Sequence, residues 1–165
     1  MKKGIKFLAI SIVMFSFASA TFAQITATAT ATAVIQAPLT ITNTSALSFG
    51  TLAASTTGTA VVTPAGGISA TGGVTLTGGT VTAAAFTVTG IVDAVYTIGL
   101  PASVILTGPG VDMTVDNIVS SPATTGTLAG GTSALTVGGR LNVGLAQAAG
   151  TYQNTTDLTV TVNYQ

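Results

Sequence analysis

The chain has 165 residues, with four basic and four acidic side chains, no histidine and no cysteine. Three of the bases, Lys2, Lys3 and Lys6, stand at the extreme N-terminus, so the remainder sets Arg140 against Asp93, Asp112, Asp116 and Asp157. Acid–base catalysis, activated nucleophiles and most metal centres are built from residue types missing here, and nucleic-acid binding needs clustered Lys and Arg. The expectation is therefore a non-enzymatic structural protein, with no cofactor, no metal and no nucleic-acid partner.

Residues 1–23 read as a secretory signal peptide. Lys2, Lys3 and Lys6 form a positive start, and Phe7 to Phe17 is an apolar run of about a dozen residues, shorter than a bilayer span of roughly 20. Small residues then offer cleavage after Ala20 or Ala23, with Ala23 preferred. Export through a periplasm to the cell surface or the medium follows. Without cysteine after the leader, the exported protein can be neither lipid-anchored through Cys nor stapled by disulfides.

The segment 24–36 opens with Ile25-Thr-Ala-Thr-Ala-Thr-Ala-Thr-Ala-Val-Ile35. Ile25, Ala27, Ala29, Ala31, Ala33 and Ile35 share one face of a strand, and Thr26 to Thr32 the other. Pro38 breaks it. Short β-patterned runs fill residues 37–165: Leu39 to Ile41, Leu47 to Gly50, Thr59 to Thr63, Gly73 to Thr77, Ala85 to Thr89, Val95 to Leu100, Val104 to Thr107 and Met113 to Val119. Gly pairs at 66–67, 72–73, 78–79 and 130–131 read as turns between them. Ala134 to Val143 contains Gly138-Gly139, but a hairpin there would pair Val137 with Arg140. One long strand, bent at the glycines, keeps Leu135, Val137, Leu141 and Val143 on one face. The chain ends in Leu158-Thr-Val-Thr-Val-Asn-Tyr-Gln165, with Leu158, Val160, Val162 and Tyr164 on one face. Many short strands with regular turn signals make an all-β sandwich.

Other features carry little chemistry. Asp112 and Asp116 on one strand lie roughly 13 Å apart at about 3.3 Å per residue, beyond the glycosidase range, and calcium needs more oxygens than the two supply. The Gly pairs lack the Lys and helix of a phosphate loop. Asn43-Thr-Ser45 and Asn154-Thr-Thr156 match the glycosylation pattern.

The runs Ala37-Pro-Leu-Thr-Ile41, Leu47-Ser-Phe-Gly-Thr51 and Phe86-Thr-Val-Thr-Gly90 resemble a family of exported bacterial proteins classed as a domain of unknown function. So do Tyr96-Thr-Ile98, Leu100-Pro101, Val137-Gly-Gly139, Leu141-Asn-Val143 and Ala149-Gly-Thr-Tyr152. That family is similar to subunits of chaperone–usher fimbriae, including the Mat/Ecp common-pilus and spore-coat-U-like groups. The resemblance implies an immunoglobulin-like sandwich, incomplete and completed by a strand from the next subunit. It also implies a periplasmic chaperone, an outer-membrane usher and other copies of the chain as partners. On that pattern Ile25 to Ile35 is the donor strand, and Leu158, Val160, Val162 and Tyr164 line the acceptor groove and face the chaperone. The chain departs from it in having Ala at most donor positions, no Cys pair, and Tyr152 where a Gly is usual. Two placements of Ile25 to Ile35 stay open, donation to a neighbour or first strand of the chain's own sandwich. Two other functions stand beside a fimbrial subunit: a self-complete secreted binding module or adhesin, and an amyloid-type matrix protein.

Overall fold

The computed structural model describes residues 24–154 and 158–165. The signal peptide expected over 1–23 lies outside them, as does Asp157. The described chain falls into two units, residues 24–34 and Ile35–Gln165. The second is all-β. Its strands are β1 (Thr40–Ser45), β2 (Ser48–Val62), β3 (Ile68–Thr82), β4 (Ala84–Thr89) and β5 (Val95–Gly99). They continue with β6 (Val104–Leu106), β7 (Met113–Ser121), β8 (Thr125–Thr127), β9 (Thr132–Val143) and β10 (Thr161–Tyr164). A 3-10 turn, Ala129–Gly131, stands between β8 and β9.

The first four strands make one long hairpin. Pairing runs from Val62 opposite Ile68 down to Thr40 opposite Thr89, so β1 and β2 form one arm and β3 and β4 the other. Its tip is a tight turn in which the Thr63 N–H donates to the Gly67 carbonyl (2.8 Å) and the Gly66 N–H to that of Thr63 (2.8 Å). Gly66, at φ 83, takes the left-handed conformation that such a turn requires.

The other Gly pairs of this region are not turns. Gly72-Gly73 and Gly78-Gly79 lie inside β3, where the register with β2 shifts near Thr51 and between Ala54 and Gly58. A Cβ on Gly73 would run into the Thr56 backbone, and one on Gly79 into Thr51. These glycines let two strands bulge and twist while remaining paired. Periodicity alone does not separate a bulge from a turn.

The twist serves β9. The edge of β9 pairs with β4 along Thr132–Val137 and then with β2 along Gly139–Val143, while β7 covers its opposite edge. The hairpin's outer sides thus meet one strand in succession, and its middle, Ser48 to Ala54, arches away from β9. Gly138 stands where the neighbour changes, and a Cβ there would collide with the Val62 carbonyl oxygen. The strand expected over Ala134 to Val143 is continuous and changes partner at its glycines, while the extra residue opposite them lies in β7, between Asp116 and Val119.

The result is two antiparallel sheets, one of seven strands and one of three in the order β10-β5-β8. They form an all-β sandwich with two apolar clusters, the first drawn from strands of the seven-stranded sheet alone and the second shared by both sheets. One holds Phe49, Val62, Val74, Val104, Met113, Val115, Leu141 and Val143, and the other Val88, Tyr96, Leu128 and Leu135. Tyr96 is fully buried, and its hydroxyl donates to Ser133 Oγ at 2.9 Å, so the ring is buried without an unpaired oxygen. β8 carries no apolar pattern that would have announced it; Gly126 is buried because the Tyr96 ring lies against it.

Residues 24–39 carry no strand. The alternating run Ile25 to Ile35 therefore does not form the first strand of this chain's own sandwich. Four of the six side chains on its apolar face are Ala, each burying little area, and a lone strand has no ladder to hold it.

Candidate assembly site

The last strand is short because its neighbours are few. β10 pairs with β5 alone, Thr161 opposite Gly99 through Tyr164 opposite Tyr96, and its second edge enters no ladder among the described residues. Side chains alternate along it as the sequence requires. Val160, Val162 and Tyr164 are half-buried against the Tyr96 cluster, Leu158 packs on the Phe49 cluster, and Thr159, Thr161 and Asn163 are exposed. The regular strand begins three residues later than expected, at Thr161 instead of Leu158.

Tyr164 fixes the end of that strand. Its hydroxyl accepts from the Ile91 N–H at 2.9 Å and donates to the Ala37 carbonyl at 3.1 Å. The last strand is thereby held to the residues that lead into β1. β1 is likewise an edge: it pairs with β4 and with nothing on its other side among the described residues. Leu39 and Ile41 on the β1 side, and Val160, Val162 and Tyr164 on the β10 side, cover the same cluster. The first and last strands of the sandwich thus flank one apolar seam, each with an unpaired backbone edge.

Below Leu158 the seam opens into a groove of about 1130 Å³. Its floor is Phe49, Val104, Leu106, Met113, Val115, Leu141 and Val143, its roof the arched part of β2, and one wall the loop Gln147 to Asn154. That loop is tied down at β6. Thr107 and Gln153 exchange backbone hydrogen bonds of 3.2 and 3.0 Å, and the Asn154 amide donates to the Ile105 carbonyl at 2.6 Å. Tyr152 lies across Gly108 with its hydroxyl donating to the Ala148 carbonyl at 3.0 Å. Sequence reasoning did not reach this groove, although a signal was present. Phe49 and Phe86, the two phenylalanines after residue 23, both line it.

The proposed donor positions lie elsewhere in the chain and are open to solvent. Every residue from Gln24 to Pro38 is exposed, Ile25 at 95% and Ile35 at 96%. Ala27, Ala29, Ala31 and Ala33 are exposed with them.

Charge plays a small part. Arg140 on β9 makes a two-pronged pair with Asp116 on β7, Nε to Oδ1 at 2.7 Å and Nη2 to Oδ2 at 2.9 Å. That hydrogen bonding holds the Asp116 carboxyl below its ordinary value of 3.8 and raises the Arg140 guanidinium above its own. Asp112 is exposed and stands apart from it. Among the described residues no group of three acidic or metal-ligating side chains could hold a metal ion. Both sequon amides are engaged, Asn43 Nδ2 donating to the Ser45 and Ala85 carbonyls and Asn154 Nδ2 to that of Ile105.

Fold and seam together define an all-β sandwich domain whose first and last described strands are edges beside an apolar groove. The chain belongs to the family described as Domain of unknown function (DUF4402), which matches residues 39–164. No curated protein and no solved structure matches it.

Proposed function

We propose that this chain is a structural subunit of a surface fimbria or pilus-like assembly, polymerising by donation of its N-terminal segment to the next copy. The carrying observation is the seam, in which β1 and β10 both present an unpaired edge over apolar side chains. A strand added at this seam would extend an open ladder and close an immunoglobulin-like sandwich. Leu158, Val160, Val162 and Tyr164 flank that position, as the fimbrial resemblance implies. Segment 25–35 supplies the matching element: uncharged, alternating, exposed and unused by its own chain. Extended, it spans about 33 Å, whereas Leu158 to Gln165 spans roughly 23 Å. The excess length is accommodated by the wide groove beyond Leu158. Ile25, Ala27, Ala29, Ala31, Ala33 and Ile35 face the neighbour's core, and a periplasmic chaperone covers the same edge before assembly.

The test compares the exported chain with a version lacking Gln24 to Gln36. Donation requires SDS-resistant multimers from the first, and monomers from the second that bind added Ile25–Ile35 peptide. A full chain that stays monomeric, with a truncated form indifferent to the peptide, removes this reading. The function would then be sought in ligand binding, as for an adhesin.

A further inference from the structure

The strand β3 ends the row β6-β7-β9-β2-β3 and is the longest unpaired edge among the described residues. Natural sheets guard such edges with charge, proline or a covering segment. The edge at β6 has such a cover, because Gln153 pairs with Thr107 and Asn154 reaches Ile105. β3 has neither charge nor proline in its fifteen residues. Its second half is bulged, and the Gly73 and Thr80 carbonyls there accept from the Ser55 and Ser48 hydroxyls (3.3 and 2.7 Å). Its first half, Ile68 to Gly72, runs in unbroken register with Val62 to Gly58.

That regular run is self-complementary. Antiparallel pairing with a second copy about Ala70 sets Ile68 against Gly72, Ser69 against Thr71, and Ala70 against Ala70. On the inner face the large Ile68 side chain meets a residue with none. On the outer face the Ser69 and Thr71 hydroxyls meet, a favourable cross-strand pair. They continue a polar row already present, Thr114-Asn142-Thr59-Thr71, in which the Thr59 and Thr71 hydroxyls are 2.8 Å apart. Gly72, at φ 68, bends the strand away and bounds the contact at five residues.

We propose that Ile68–Gly72 is a homotypic interface, pairing antiparallel with the same edge of a second copy about a two-fold axis at Ala70. Such an isologous contact is independent of strand donation. Donation joins copies head to tail, and this edge joins them side by side.

The chain has no cysteine, so disulfide capture reads the contact directly. In full-length Ala70→Cys, mild oxidation is expected to give covalent dimers at least about tenfold faster than in Thr77→Cys on the bulged half of the same strand, because directly opposed antiparallel residues lie about 4.5–5.5 Å apart. Adding Ser69→Lys with Thr71→Lys, both exposed positions, should suppress capture. Ser69→Lys with Thr71→Asp should restore it, since only the antiparallel register sets each lysine against an aspartate. Equal rates for the two cysteine variants, or no recovery with the opposite-charge pair, would overturn the proposal. The same capture is run in a chain carrying Ala29→Lys and Ala31→Lys. Dimers that persist there while multimers vanish separate this edge from the donated segment, and loss of both overturns the independence claimed for it.

Discussion

Arg140 and Asp116 show how little this protein asks of charge. The pair is solvent-facing on both sides, with side-chain exposures of 42% and 32%, and exposed pairs contribute little at neutral pH. Its pH signature is nonetheless definite in sign. The Asp116 pKa is lowered in the folded chain, chiefly by the Arg140 hydrogen bonds, so folding favours the ionised form. The contribution is fully present above the unfolded value near 3.8 and is lost as pH falls through the lower folded value. Asp116→Asn should therefore narrow its stability gap to the native chain on acidification below 3.8. Denaturant midpoints measured on both sides of that value check this, and a gap that widens in acid contradicts it. Gly138 makes the opposite kind of demand, for space. Its Cβ position is occupied by the Val62 carbonyl, where β9 changes partner from β4 to β2. Gly138→Ala should cost about 1–3 kcal/mol, the range for overpacking a buried site. Gly130→Ala makes the comparison clean for sterics, since nothing lies within 4 Å of its Cβ position, although its φ of 62 adds strain of a different origin.

Strands and faces were legible where side chains alternate against a core. The Leu158–Tyr164 face, the Met113 strand and the unbroken strand through Gly138 follow from apolar positions at every second residue. What was hidden depends on contacts made far along the chain. Gly72-Gly73 and Gly78-Gly79 have the composition of turns, and they became bulges because β2 runs beside them. β8 is only Thr125–Thr127, too short to show a period. Ile25 to Ile35 has the cleanest alternation of all and forms no strand, because alternation does not by itself supply a ladder partner. The seam was half legible: its β10 wall could be read, while the arched β2 roof depends on the twist of the hairpin. At its end, Tyr164 invites a test of what holds β10 in place. Tyr164→Phe keeps the ring in the apolar cluster but leaves the Ile91 N–H and the Ala37 carbonyl without this partner. A loss of about 1–3 kcal/mol is expected for such a half-buried pair, read as a lower melting temperature. An unchanged melt would mean that water replaces the hydroxyl at no cost and that the strand is held by its face alone.

For the whole molecule, the scarcity of charge separates assembly by strand exchange from assembly by attraction between surfaces. The proposed donor segment Ile25 to Ile35, the last eight residues Leu158 to Gln165, and β1 together contain no Asp, Glu, Lys or Arg. Salt screens interactions between exposed charges over about 8 Å at physiological strength, so a contact built from backbone ladders and apolar side chains has almost nothing for salt to act on. Multimer formation should then change less than about twofold between roughly 20 mM and 500 mM sodium chloride, whereas electrostatically steered association falls steeply over that interval. Sulfate, excluded from protein surfaces, should instead accelerate it by strengthening apolar burial. Light scattering during assembly at matched ionic strengths of chloride and sulfate distinguishes the two. A steep fall with chloride would place the contact near Arg140 and Asp116, away from the seam. Insensitivity to chloride with a rise in sulfate is what a donated strand closing an uncharged groove requires.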